Sequence, residues 1–148
     1  MNTSQNITPQ RVLLIDDERE IRHMSRTILE ITFPGIVVDE VVDGEEFVQM
    51  VNKTYKSGKP YNLHITDMLM PRKSGLEALL ELRAQGDETP TIIYTGTPYE
   101  VSEYLEQIKQ NMPSKTMILA KPFDIKKLVA VINYVLNNCV DSTPTTAS

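Results

Sequence analysis

Five times along this chain a short apolar, β-branched run gives way to a longer segment with helical spacing, and strict alternation of this kind leaves few folds open. The runs are Val12 to Ile15, Ile36 to Val42, Leu63 to Thr66, Thr91 to Thr95 and Thr116 to Ala120. Strands that are apolar along their length must be covered on both faces, and strands joined by helices pair in parallel. The pattern therefore predicts a doubly wound α/β sandwich around one five-stranded parallel sheet. The helical segments supply matching stripes: Ile21, Met24, Ile28 and Ile31 in the first, Leu76, Leu79 and Leu80 in the third, and Leu128, Val131, Ile132 and Val135 in the last.

Helix starts are marked by a capping residue with Glu three positions later: Asp17 with Glu20, Asp43 with Glu46, Ser74 with Glu77, and Thr97 with Glu100. Asp124 opens the fifth helix without the Glu, and Pro98 sits at a first helical position, where its missing N–H costs nothing. Gly86, within Gln85 to Pro90, ends the third. The 148 residues suffice for one domain, placed at residues 11–139. Residues 1–10 read as a disordered N-terminal tail and residues 140–148 as a C-terminal tail or linker.

The formal charge of -5 argues against direct nucleic-acid binding and against an anionic membrane surface, since phosphate is bound largely by Lys and Arg. No segment approaches the roughly 20 apolar residues of a membrane span. A single cysteine, Cys139, cannot form an internal disulfide and reads as a small packing residue, so a cytoplasmic location is expected. His23 and His64 are too far apart to resemble a zinc motif, and His64, within a strand, reads as a hydrogen-bonded or partly exposed histidine.

In open α/β sheets ligands bind beyond the carboxyl ends of the strands. The residues there are Asp16 and Asp17, Asp67, Thr95 with Gly96, and Lys121 with Pro122. Taken singly they have plain explanations: Asp17 as a cap, Thr95 as a strand residue, Lys121 as a side chain lying along a strand end. Asp67 stands seven residues before the next cap and has no such explanation. Three carboxylates converging on one spot repel unless a cation sits among them, and an oxygen-only set suits Mg²⁺. With Mg²⁺ and Lys121 to neutralise a phosphoryl group and Thr95 to donate to it, Asp67 is the candidate nucleophile.

The acidic pair in LLIDDE, the acceptor segment TDMLMPRKSG, YTG and AKPF together resemble the receiver domains of two-component response regulators, over Arg11 to Asn138. The resemblance implies a (βα)5 flavodoxin-like sheet in the order 2-1-3-4-5. It implies that Asp67 is phosphorylated by a sensor histidine kinase or phosphotransfer protein. Asp16, Asp17, Asp67 and the backbone carbonyl of Leu69 would hold Mg²⁺, and Thr95 and Lys121 would bind the phosphoryl group. The Lys121–Pro122 bond is expected to be cis. A downstream effector or output domain would read the signal, and the resemblance leaves room for a phosphorylation-dependent homodimer.

Three departures from that pattern stand out. Ile118 occupies the place, three before the lysine, where an aromatic is common, so Tyr99 and Tyr104 are either substitutes in the switch or ordinary helix-face aromatics. Leu69 and Thr97 flank the phosphoryl position, and Leu69 cannot orient a water, so autodephosphorylation is expected to be slow. Two other readings compete. One is an Mg²⁺-dependent phosphohydrolase, for which Met68, Leu69 and Met70 supply no second acid. The other is a receiver-like docking module that is never phosphorylated, against which the retention of every chemical position counts. A dinucleotide-binding loop is excluded, because the first turn is DDERE.

Overall fold

A computed structural model describes residues 7–137. Five strands, β1 (Arg11–Ile15), β2 (Val37–Val41), β3 (Leu63–Asp67), β4 (Thr91–Thr95) and β5 (Thr116–Ala120), form one parallel sheet in the order β2-β1-β3-β4-β5. Between and after them run α1 (Arg19–Thr32), α2 (Gly44–Lys56), α3 (Gly75–Ala84), α4 (Pro98–Gln107) and α5 (Ile125–Asn137). The predicted doubly wound sandwich, including the implied strand order, is the fold.

Alternation along the strands divides the core. Val12, Leu14, Leu63, Ile65, Ile92 and Tyr94 pack with Leu29 of α1 and with Leu128 and Ile132 of α5. On the other face Leu13 and Ile15 meet Phe47 and Val51 of α2, while Ile93 meets Leu76, Leu79 and Val101 of α3 and α4. Each wholly buried Leu, Ile or Phe contributes about 1.5–3 kcal/mol relative to exposure.

Three of the expected caps form. Asp43 accepts from the Glu46 N–H at 2.9 Å, Ser74 and Glu77 make a reciprocal capping box, and Asp124 accepts from the Lys127 N–H at 2.8 Å. Two do not. Asp17 does not cap α1: Asp16 Oδ1 takes the Glu18 N–H at 2.7 Å, and this turn delays the helix to Arg19, with Glu18 in the cap position. Thr97 precedes α4 as expected, but its hydroxyl makes no bond to the helix.

The stripe on α1 is the predicted one only in part: Ile21 and Ile28 pack against the core, but its centre is rotated toward Leu29. Ser25 and Leu29 are buried, whereas Ile31 is 75% exposed and Met24 is exposed. Arg22 and Arg26 both bond Glu40 of β2, at 2.9 and 2.5 Å, which is compatible with that face and not with one turned further toward Ile31. Part of the expected N-terminal tail is in contact with the domain: the Ile7 N–H donates to Asn137 at 2.7 Å, and the N–H groups of Gln10 and Arg11 donate to Asn62. Cys139 and residues 140–148 lie outside the described residues.

Candidate functional site

Strands β1 and β3 are neighbours, so their carboxyl ends deliver Asp16 and Asp67 side by side. Both are buried, Asp16 completely. One carboxylate oxygen from each of Asp16, Glu18 and Asp67 lies within 4.8 Å of the others. Burial raises the Asp67 carboxyl above its ordinary range, the Asp16 charge raises it further, and the Lys121 ammonium, 3.3 Å from Asp67 Oδ1, lowers it. Two adjacent buried carboxylates with one lysine, paired to Asp67, remain short of positive charge, and an all-oxygen set of this kind fits a hard divalent cation such as Mg²⁺.

Asp17 is exposed and lies outside this group, with Glu18 in its place. The reason is local: the turn in which Asp16 Oδ1 takes the Glu18 N–H brings Glu18 back beside Asp16 just before α1.

Strand β3 leads into a tightly held loop. The Thr66 hydroxyl donates to the Asp67 carbonyl at 2.9 Å, and the Gly75 N–H donates to the Met68 carbonyl at 3.0 Å. A Cβ on Gly75 would overlap the Asp67 carbonyl and the Thr66 hydroxyl, and one on Gly44 would overlap the Lys73 carbonyl. Arg72, at φ 68°, donates to Asp43 Oδ2 at 2.8 Å, while Asp43 Oδ1 caps α2. The glycine in MPRKSG is thus required by close approach. Leu69, inside the loop, is 61% exposed.

From the other side, Thr95 ends β4 fully buried, and its hydroxyl accepts from the Thr97 N–H at 3.0 Å and lies 3.2 Å from the Thr97 hydroxyl. The Lys121 N–H donates to the Thr95 carbonyl at 2.8 Å, and the Lys121–Pro122 peptide is cis. Ile118 packs with Leu80, Tyr104 and Met112 against the α3–α4 core, while Tyr99 is largely exposed.

Sequence reasoning missed Tyr94. Its buried hydroxyl donates to Asp16 Oδ2, its ring meets Phe123 edge-on at 5.6 Å, and the Lys121 ammonium lies 5.1 Å from its ring centre. Burial, and next the Asp16 charge, push the phenol far above its ordinary pKa, so it stays a donor. In YTG the tyrosine read as a strand residue, and only the register that sets Tyr94 opposite Asp67 shows where its hydroxyl goes.

His64 sits at the opposite end of the sheet and is neither exposed nor well bonded. It is fully buried between Phe47 and Tyr61, with Nδ1 3.5 Å from the Thr91 hydroxyl and Nε2 without a partner. Burial lowers its pKa from 6.5 to about 3.

The response regulator receiver domain family model matches residues 12–133. The response regulator MprA of Mycobacterium ulcerans is 32% identical over 126 residues, covering 85% of this chain and 50% of the relative. MprA of Mycobacterium leprae is 33% identical over 126 residues with the same coverage of both. The chain thus spans about half the length of the curated relatives it matches. Among solved structures, the chemotaxis protein CheY4 of Vibrio cholerae aligns with a TM-score of 0.68 at 27% identity, covering 86% of this chain and 98% of that one. A receiver domain from Clostridium thermocellum gives 0.68 at 26%, covering 86% and 94%. No helix among the described residues is long and apolar enough to cross a membrane. With sheet order, acid pocket and sequence match in agreement, this chain belongs to the family of response regulator receiver domains.

Proposed function

We propose that the protein is a phosphorylation-dependent switch in which Asp67 accepts a phosphoryl group from a sensor histidine kinase or phosphotransfer protein. The observation that carries this reading is Asp67 itself: a buried carboxylate at a strand end, beside Asp16, with Lys121 at 3.3 Å. An Asp67 oxygen attacks phosphorus in line; the P–O bond forms as the bond to the donor breaks, and the donor keeps the electron pair. Lys121 and Thr95 bind the transferred oxygens.

Asp16, Asp17, Asp67 and the Leu69 carbonyl would hold Mg²⁺, with Glu18 as a further oxygen donor because its carboxylate already lies beside Asp16 and Asp67. Bound there, Mg²⁺ supplies the positive charge that lets an anionic donor approach two aspartates. The phosphorylated domain, placed at residues 11–139, then shifts between surface states read by an effector, an output domain or a second copy. It works in the cytoplasm without touching nucleic acid or membrane itself, and its own catalysis is limited to slow self-phosphorylation and dephosphorylation.

Intact mass after incubation with acetyl phosphate and Mg²⁺ tests the reading. One added phosphoryl group is expected on the wild type and none on Asp67→Ala or in EDTA; an adduct that survives Asp67→Ala would refute the assignment.

A further inference from the structure

We propose that Tyr94 is a positioning residue of the acid pocket: its hydroxyl satisfies Asp16 when no cation is bound and thereby weakens the binding of a divalent cation. The inference rests on reading Asp16 and Asp67 as cation ligands, and it adds a residue which that reading does not use.

Asp16 is completely buried, yet each of its oxygens has a donor: Oδ1 takes the Glu18 N–H at 2.7 Å and Oδ2 takes the Tyr94 hydroxyl. The phenol is held in place. Tyr94 is 2% exposed, lies in register with Asp67, and has its ring fixed by Phe123 at 5.6 Å and by the Lys121 ammonium at 5.1 Å. The same lysine pairs with Asp67 at 3.3 Å, so one side chain bonds Asp16 directly and contacts the partner of Asp67.

A donated hydrogen bond draws charge from a carboxylate oxygen, and a cation must share that oxygen with the donor. Without the hydroxyl, Asp16 keeps its backbone donor and therefore its orientation, but a buried acceptor is left unfilled beside a second carboxylate. That penalty falls on the ion-free protein and is relieved when a cation arrives.

Tyr94→Phe in the full chain is the test, with Mg²⁺ affinity measured by calorimetric titration and stability by thermal denaturation. The variant is expected to melt below wild type without Mg²⁺, to gain more on its addition, and to bind Mg²⁺ on the order of tenfold more tightly. Equal or weaker affinity in a folded variant would overturn the proposal while leaving the phosphoacceptor reading intact. Failure of the wild type to bind Mg²⁺ would overturn both. If Tyr94→Phe does not fold, NMR of the wild type decides. A slowly exchanging, hydrogen-bonded Tyr94 hydroxyl proton that shifts on adding Mg²⁺ supports the role, and one that is absent or unmoved refutes it.

Discussion

Acid should weaken this protein through one side chain well away from the acid pocket. His64 titrates near 6.5 in the unfolded chain but only near 3 when folded, because burial between Phe47 and Tyr61 penalises the imidazolium. Between those values the unfolded state binds more protons. The stability is fully present above about pH 6.5 and is lost as pH falls toward about 3. From about pH 7.5 to about pH 5 the loss through this one group comes to about 2 kcal/mol. Asp67 works the opposite way: its raised carboxyl takes up a proton more readily folded than unfolded, so acidification relieves strain there. Wild type and His64→Leu should therefore be compared by urea denaturation at both pH values. Leu fills a similar volume and forfeits the 3.5 Å contact to Thr91 and the edge-on ring contacts with Phe47 and Tyr61, losses that are the same at both pH values. The wild type should lose about 2 kcal/mol more than the variant on acidification. Equal losses would refute the argument and mean that the folded protein accommodates an imidazolium, with Asp87 as the nearest source of compensating charge.

Gly75→Ala forces a methyl group onto the Asp67 carbonyl and should destabilise by about 1–3 kcal/mol while slowing phosphorylation by acetyl phosphate; denaturant midpoints and adduct kinetics check both. Arg83→Met strips the cation from Asp87, a buried acid also held by Tyr55 and Thr89, and should cost about 3 kcal/mol or more, read by thermal unfolding. Because exposed Leu69 offers no group to orient water, the acyl phosphate on Asp67 should persist for minutes in Mg²⁺ without a phosphatase, and loss within seconds in a mass time course would contradict this.

The sheet was legible because its signal is dense: a strand that is apolar on both faces and followed by a capped helix repeats five times. What the pattern could not resolve was rotation. Ile21, Met24, Ile28, Leu29 and Ile31 spread apolar character around much of α1, and the side that meets the sheet depends on contacts between elements: Leu29, Ile21 and Ile28 against the core, and Arg22 and Arg26 on Glu40. Asp16, Asp67 and Lys121 were legible because each ends a core strand. Tyr94 and Glu18 were not found, since the first depends on the register of β4 against β3 and the second on the turn that delays α1 by one residue.

The two flanks of Asp67 differ in mechanical compliance. Toward α2 the acceptor loop is sewn down by Arg72 on Asp43, by the Gly44 N–H on the Lys73 carbonyl, and by glycines that leave no room to slide. Toward α4 the helix starts without a side-chain cap and buries only Val101 and Leu105. If Asp67 is the acceptor, as proposed, a charge newly placed between a stiff wall and a yielding one would move the yielding one, and the strain of phosphorylation would be directed into α4 by the way the loop is fastened on the far side.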